Sequence, residues 1–373
     1  MKKLISLFII IASLITLASC GGYDPVPSTD EEAEVVMTLT LDGKSYDVRY
    51  ELYRAMFLNY KYTVDGGDSS VWSGEDKDTY IARVHEMIVA RITDIYSVLH
   101  LADKVGINMY SQSVEDKIKE YVKISVEGGV YNDETILGYE SYDAYLAALA
   151  KLGINYSVQE LIFRYSIAVD MIAEYYEGTP KEDLLGNVTF EGGALKYTKD
   201  DVEAFYYSSD SVRYISAYIQ SKYAGAKQRA EALHDRLKAV EGDDKAVSIE
   251  IYSSTISSDA DLTAGTVIGR YVLDSVNYGE LTEAAFSTPV GKVSDVVETT
   301  LGEATGFFIL YPINKDATHF EEYYYDIATA YVENEIGKML SDVQDGLLAG
   351  ASKTSVLEGL DYSKITYPTV NKK

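Results

Sequence analysis

One cysteine in 373 residues, at position 20, sets the terms on which this chain can fold. No disulfide and no cysteine metal site can form, so the body has to be held by packing. The cysteine also closes a distinctive leader. Lys2 and Lys3 give a positive start, Leu4 to Leu17 is apolar apart from Ser13 and Thr16, and the small pair Ala18-Ser19 precedes Cys20. That run is too short and wrongly flanked for a membrane span and reads as an export signal that is absent from the folded, mature chain. The roughly 350 residues beyond it suit two or three modest domains with sizeable cores.

Charge narrows the partners. The net charge is -26, and loss of Lys2 and Lys3 makes it more negative by two. Such a surface repels phosphate backbones and anionic lipid, which argues against nucleic-acid binding. Tyrosine is the other departure, with 34 residues against 9 Phe and 1 Trp. It suits surfaces that hold other chains and equally suits half-buried core positions.

Gly21 to about Glu34 carries two prolines and a run of acids and reads as a disordered tether. From Val35 the alternation of Val36, Thr38 and Thr40 with Met37, Leu39 and Leu41 predicts a strand, turned at Asp42-Gly43-Lys44. Val64 to Glu75 reads as a loop. Ile81, Val84, Ile88, Ile92, Ile95, Leu99 and Ala102 form one helical stripe stopped at Gly106. Further helices are expected from about Ser113 to Val126 and from Ser141 to Gly153. Another starts at a capping-box spacing, Ser157 to Glu160, and a short one behind Thr198 and Asp201. After Asp210 strands are predicted at Val212–Ile219, at Val247-Ile249-Ile251 and at Gly306–Ile313. A helix marked by Ala226, Leu233 and Val240, a glycine loop at Ala264–Gly269 and a short helix near Leu281–Phe286 separate them. A small α+β domain follows from that order. His319 to Leu348 is helical again, and the tail is polar.

Motifs for other chemistry are missing. There is no G-x-S-x-G and no Walker loop. His85-Glu86 begins like a zincin helix without the second His. Asp259-Ala260-Asp261 starts like a calcium loop but lacks its glycine and terminal Glu, and reads as a solvated loop. His85 and His100 are expected at helix surfaces. No metal site and no cofactor are expected.

Leu-Ala-Ser-Cys resembles a bacterial lipoprotein signal, which implies cleavage before Cys20 and diacylglyceryl attachment to its sulfur. Two chains suffice for lasting membrane attachment. Three stretches, Leu101–Val122, Tyr142–Tyr176 and Tyr197–Asp210, resemble the helical N-terminal domain of the SurA/PrsA class of extracytoplasmic folding factors. Phe320–Leu340 resembles their returning helix. Ala284–Thr299 (AAFSTPVGKVSDVVET) resembles a stretch of the parvulin-type peptidyl-prolyl isomerase domain. The implied fold class is α+β, a helical SurA-like N-terminal domain plus C-terminal helix with a parvulin-like insert. The boundaries are 1–19 signal, 20–34 tether, 35–210 helical domain, 211–315 parvulin-like domain, 316–350 returning helix and 351–373 tail.

The resemblance also implies where a catalytic site would lie. The first family histidine falls at Ser216 (or Tyr214), the second at Phe308, and the Asp/Cys position near Ser258 or Asp259. The proline pocket falls at Asn277 and Leu281, with Phe286 and Phe308 as further substrate-contacting candidates. His234 is read as a surface imidazole. With both histidines replaced, isomerase activity is expected to be weak or lost. The expected role is then a membrane-anchored chaperone or foldase, tethered through Cys20 on the extracytoplasmic side of a bacterial envelope and binding unfolded or newly exported polypeptides. Tyr145, Leu149, Phe163 and Tyr165 are candidates for its client-facing surface, and each reads equally well as core. The alternatives are an active isomerase with an atypical site and a non-enzymatic lipoprotein with a single partner.

Overall fold

A computed structural model describes residues 23–131, 134–182, 188–220, 225–257, 260–273, 275–301 and 304–369. Cys20, Ser258 and Asp259 lie outside the described residues. The chain is mixed α and β, with small antiparallel sheets packed by helices. It forms two compact units, 23–171 with 340–369, and Ile172–Met339.

The first unit opens on a hairpin of β1 (Val35–Leu41) and β2 (Lys44–Arg49). Asp42 and Gly43 both take positive φ, 51° and 76°, the geometry that a tight two-residue hairpin turn demands. Then come α1 (Tyr50–Asp65), α2 (Lys77–Lys104) and α3 (Gln112–Glu127). A small hairpin of β3 (Gly129–Tyr131) and β4 (Glu134–Ile136) precedes α4 (Tyr142–Lys151) and α5 (Tyr156–Glu177). The predicted stripe on α2 is buried from Val84 to Ala102. Inside the Val64–Glu75 loop, Trp72 is buried, packs edge-on against Phe57 and donates from Nε1 to Asp65 at 2.7 Å.

Five expectations change here. The start of α5 is capped by Asn155, whose Oδ1 accepts from Val158 N at 3.1 Å. Ser157 donates to that same oxygen and Glu160 pairs with Arg164, so the Ser157–Glu160 capping box is not what starts this helix. His100 is buried, not on a surface, and its Nδ1 hydrogen-bonds Tyr46 Oη at 2.9 Å. Tyr145, Leu149, Phe163 and Tyr165 are all buried, so the helical faces that looked client-facing are core. Beyond residue 350, Ser352–Lys353 pairs with β1, while Leu357, Tyr362 and Ile365 enter the core of the first unit. Residues 23–34, acidic and proline-bearing, hydrogen-bond to the body of that unit.

The second unit starts with a hairpin, β5 (Gly178–Glu182) and β6 (Val188–Gly192), and the short helix α6 (Lys199–Tyr207). Thr198 and Asp201 form the expected reciprocal capping box at its start. The chain then runs β7 (Ser211–Gln220), α7 (Ala226–Val240), α8 (Asp244–Ser257), β8 (Ala260–Gly269), α9 (Ser275–Ser287), β9 (Val297–Leu301) and β10 (Ala304–Pro312). Its sheet is antiparallel in the order β8-β7-β10-β9. The helices α10 (Ala317–Glu322) and α11 (Tyr324–Ala349) follow, and α11 continues into the first unit.

Two local predictions in this unit are corrected. Val247-Ile249-Ile251 is helical, in α8, and not a strand. Val247 and Ile251 are buried one turn apart, whereas Ile249 is 58% exposed, a pattern that fits a 3.6 period better than a period of two. The supposed loop Ala264–Gly269 lies in β8 and pairs with β7.

Candidate functional site

Period-two alternation sends the β7 and β10 side chains to opposite faces of the sheet. Ile215, Ala217, Ile219, Phe307, Ile309 and Tyr311 pack on one face against α7 and α8. Tyr214, Phe308 and Leu310 lie on the other, against Leu281 and Ala285 of α9. Ser216 follows the same alternation and pairs directly with Leu310. The sheet thus brings Ser216, Phe308 and Leu281, far apart in sequence, to one face.

That face is filled. Ser216 is 3% exposed, Leu281 3% and Phe308 7%. The ring of Phe308 stacks with Tyr218 at 4.5 Å, and Tyr218 lies over Gly306, where a Cβ would come within 2.0 Å of the ring. Glycine at 306 is what lets the tyrosine lie flat over the sheet. Burial of a side chain such as Phe308 contributes about 1.5–3 kcal/mol, a packing role in itself. Phe286 does not join this group. It sits one residue beyond Ala285, about 100° further round α9, and its ring lies under the Arg270 guanidinium at 4.4 Å. Of Asn277 only the backbone is described. His234 is half-buried on α7, next to Asp235 at 3.5 Å.

The opposite face carries a cleft of about 570 Å³ lined by Arg213, Ile215, Ser248, Ile313, Asp316, His319 and Tyr323. None of its polar members was singled out from the sequence. His319 Nε2 is 2.7 Å from the Gly265 carbonyl oxygen and must donate to it, which leaves Nδ1 to accept from Tyr206 Oη at 3.2 Å. Burial first, and the neighbouring Arg213 guanidinium second, hold His319 below the ordinary imidazole range, against the pull of the Gly265 bond. Gly265 has φ +68°, and a Cβ there would lie 3.0 Å from His319 Nε2, so the close approach depends on glycine. Tyr323, 39% exposed, stacks on the imidazole at 4.6 Å and forms part of the cleft wall. Arg213 Nη1 donates to Asp316 at 2.6 Å and to the Asn314 carbonyl at 2.9 Å. The available sequence signal was Asp316-x-x-His319, an N-cap spacing: Asp316 Oδ1 does accept from His319 N at 2.9 Å.

Among the described residues, no three His, Cys, Asp or Glu side chains are grouped to hold a metal ion, and no helix is long and apolar enough to cross a membrane. Ile215 and Ile313 belong to the buried cluster of the sheet, Tyr323 is the exposed ring of the cleft, and Asp244, Lys245 and Glu322 make the remaining lining strongly charged. The cleft offers no nucleophile paired with a base.

No protein-family model and no curated protein matches the chain. Among solved structures it is similar to the foldase protein PrsA of Streptococcus pneumoniae, at 12% identity over 83% of this chain and 92% of that one, with a TM-score of 0.22. It is also similar to the foldase protein PrsA of Lactococcus lactis, at 15% identity over 89% and 99%, again with a TM-score of 0.22. At that TM-score the likeness is one of extent and does not fix function.

Proposed function

We propose that this chain is a lipid-anchored extracytoplasmic folding factor that holds unfolded exported polypeptides and has lost prolyl isomerisation. The holding role is supported by the resemblance of Leu101–Val122, Tyr142–Tyr176, Tyr197–Asp210 and Phe320–Leu340 to folding factors of the SurA/PrsA class. The insert is read as a degenerate parvulin-type domain, in keeping with its small antiparallel sheet packed by helices. One observation carries the loss of turnover: the face with Ser216 and Phe308 is closed by Leu281, Ala285 and Tyr218. Prolyl isomerisation has a barrier of about 18–20 kcal/mol, and lowering it requires an accessible pocket with donors aimed at the twisting amide. A buried serine and a stacked phenylalanine supply neither. Clients would then be held elsewhere, and the exposed Tyr323 ring at the mouth of the mainly polar cleft is one candidate contact.

The test is light scattering from a heat-unfolded client mixed with increasing amounts of the mature chain. Aggregation falls progressively as the chain approaches stoichiometry, and Tyr323→Ala weakens the effect. Undiminished scattering at a large excess of the chain contradicts the reading.

A further inference from the structure

Residues 23–34 are fastened along the first unit over their whole length. Tyr142 Oη donates to the Asp24 carbonyl at 2.9 Å, and the rings of Tyr23 and Tyr142 lie 5.0 Å apart. Val26 and Pro27 share a recess with Leu146, Ala150 and Ile154. Ser28 Oγ meets Ser157 Oγ at 3.0 Å and donates to Glu51. Thr29 and Glu32 bond reciprocally, side chain to backbone N–H, as in a capping box. Glu32 also takes Arg54 Nη2 at 2.8 Å, the two side chains being only 13% and 9% exposed. Glu34 O accepts from Tyr50 N, at the first residue of α1. The strap is thus held by backbone and side-chain hydrogen bonds, an ion pair and an apolar recess along its length.

Only Cys20, Gly21 and Gly22 precede Tyr23 on the mature side of the signal. Three residues span at most about 11 Å even when fully extended. From this short leash and the docked strap we infer that the face of the first unit bearing Tyr23, Tyr139 and Tyr142 lies against the lipid headgroups; the inference rests on the lipid-anchor reading above. Tyr139 and Tyr142 each pack on buried Tyr145, with ring centroids at 5.5 and 6.2 Å, and are half-buried, so the leash and not ring insertion sets the orientation. Exposed Asp24, Glu127 and Asp143 lie beside Tyr23 and Tyr142, so attraction to anionic lipid is not what holds the face down. The leash does that, and it sets a standoff that a free tether of residues 20–34 would not.

The experiment places a fluorophore on Asp143→Cys in the full diacylated chain, whose own thiol is blocked by acylation, and incorporates it into vesicles containing headgroup-nitroxide lipid. Strong quenching is expected. Inserting about 20 Gly/Ser residues between Gly22 and Tyr23, with a root-mean-square reach of roughly 25 Å, should reduce quenching several-fold. Arg54→Gln with Ser28→Ala, which unfastens the strap, should reduce it in the same direction. Weak quenching in the chain without the insert overturns the inference, as does quenching that the insert leaves unchanged. A mature chain that lacks the diacylglyceryl mass and fails to float with vesicles overturns the anchor reading itself and the inference with it. One that floats but stays unquenched defeats only the inference.

Discussion

At the scale of single residues, tyrosine takes places that phenylalanine fills in other cores. Tyr53, Tyr206 and Tyr311 are wholly buried, and each finds a partner for its hydroxyl. Tyr311 Oη donates to Asp244 at 2.8 Å, and Tyr53 Oη is shared between Tyr362 Oη and His85 Nδ1, both at 2.9 Å. His85 gives this arrangement a pH signature. Burial first, and the Lys353 ammonium second, hold its imidazole down at about 4. An unfolded histidine titrates near about 6.5, so between those values the unfolded chain binds a proton that the folded chain does not. The stability this site contributes is therefore complete above about pH 6.5 and is lost progressively as the pH falls toward 4. Thermal unfolding across that window should show a slope that His85→Phe flattens, since Tyr53 keeps Tyr362 as its partner. An identical slope in the variant would mean that other groups carry the acid sensitivity. The burial of His100 and the packing of His319 were not legible from sequence, because neither imidazole sits at a spacing that names its partners.

Among the elements, the sequence was clearest where one mechanism acted alone. The α2 stripe, the Asp42-Gly43 turn and the Thr198–Asp201 box were all readable because periodicity or local hydrogen bonding decides them. Thr198→Ala should cost about 1 kcal/mol of unfolding free energy, within the usual range for such caps, as read from denaturant midpoints at unchanged m value. A neutral result would show that α6 is held entirely by Val202, Phe205 and Tyr206 in their apolar cluster. The misread elements share a cause. Val247, Ile249 and Ile251 are β-branched, which favoured a strand, yet tertiary packing of Val247 and Ile251 against the sheet made the segment helical. Gly265 and Gly269 suggested a loop, whereas both are accommodated in β8, Gly265 beneath His319 and Gly269 against Asn334. The tail looked polar because its core residues, Leu357, Tyr362 and Ile365, are widely spaced and meet their partners only after the chain returns to β1.

At the scale of the whole molecule, the candidate site was half legible. Alignment of weak motifs brought Ser216, Leu281 and Phe308 to one sheet face, but sequence could not say that the face is filled, nor that a separate cleft opens on the other side around Arg213 and His319. A filled face has no room to grip or turn over a prolyl segment, which leaves any action on clients to sites elsewhere. The decisive measurement is the cis-to-trans relaxation of a prolyl peptide, a process that takes tens to hundreds of seconds unaided. With the mature chain added at micromolar concentration, the relaxation rate should be unchanged. A dose-dependent acceleration that disappears in Asp259→Ala or Phe308→Ala would contradict that.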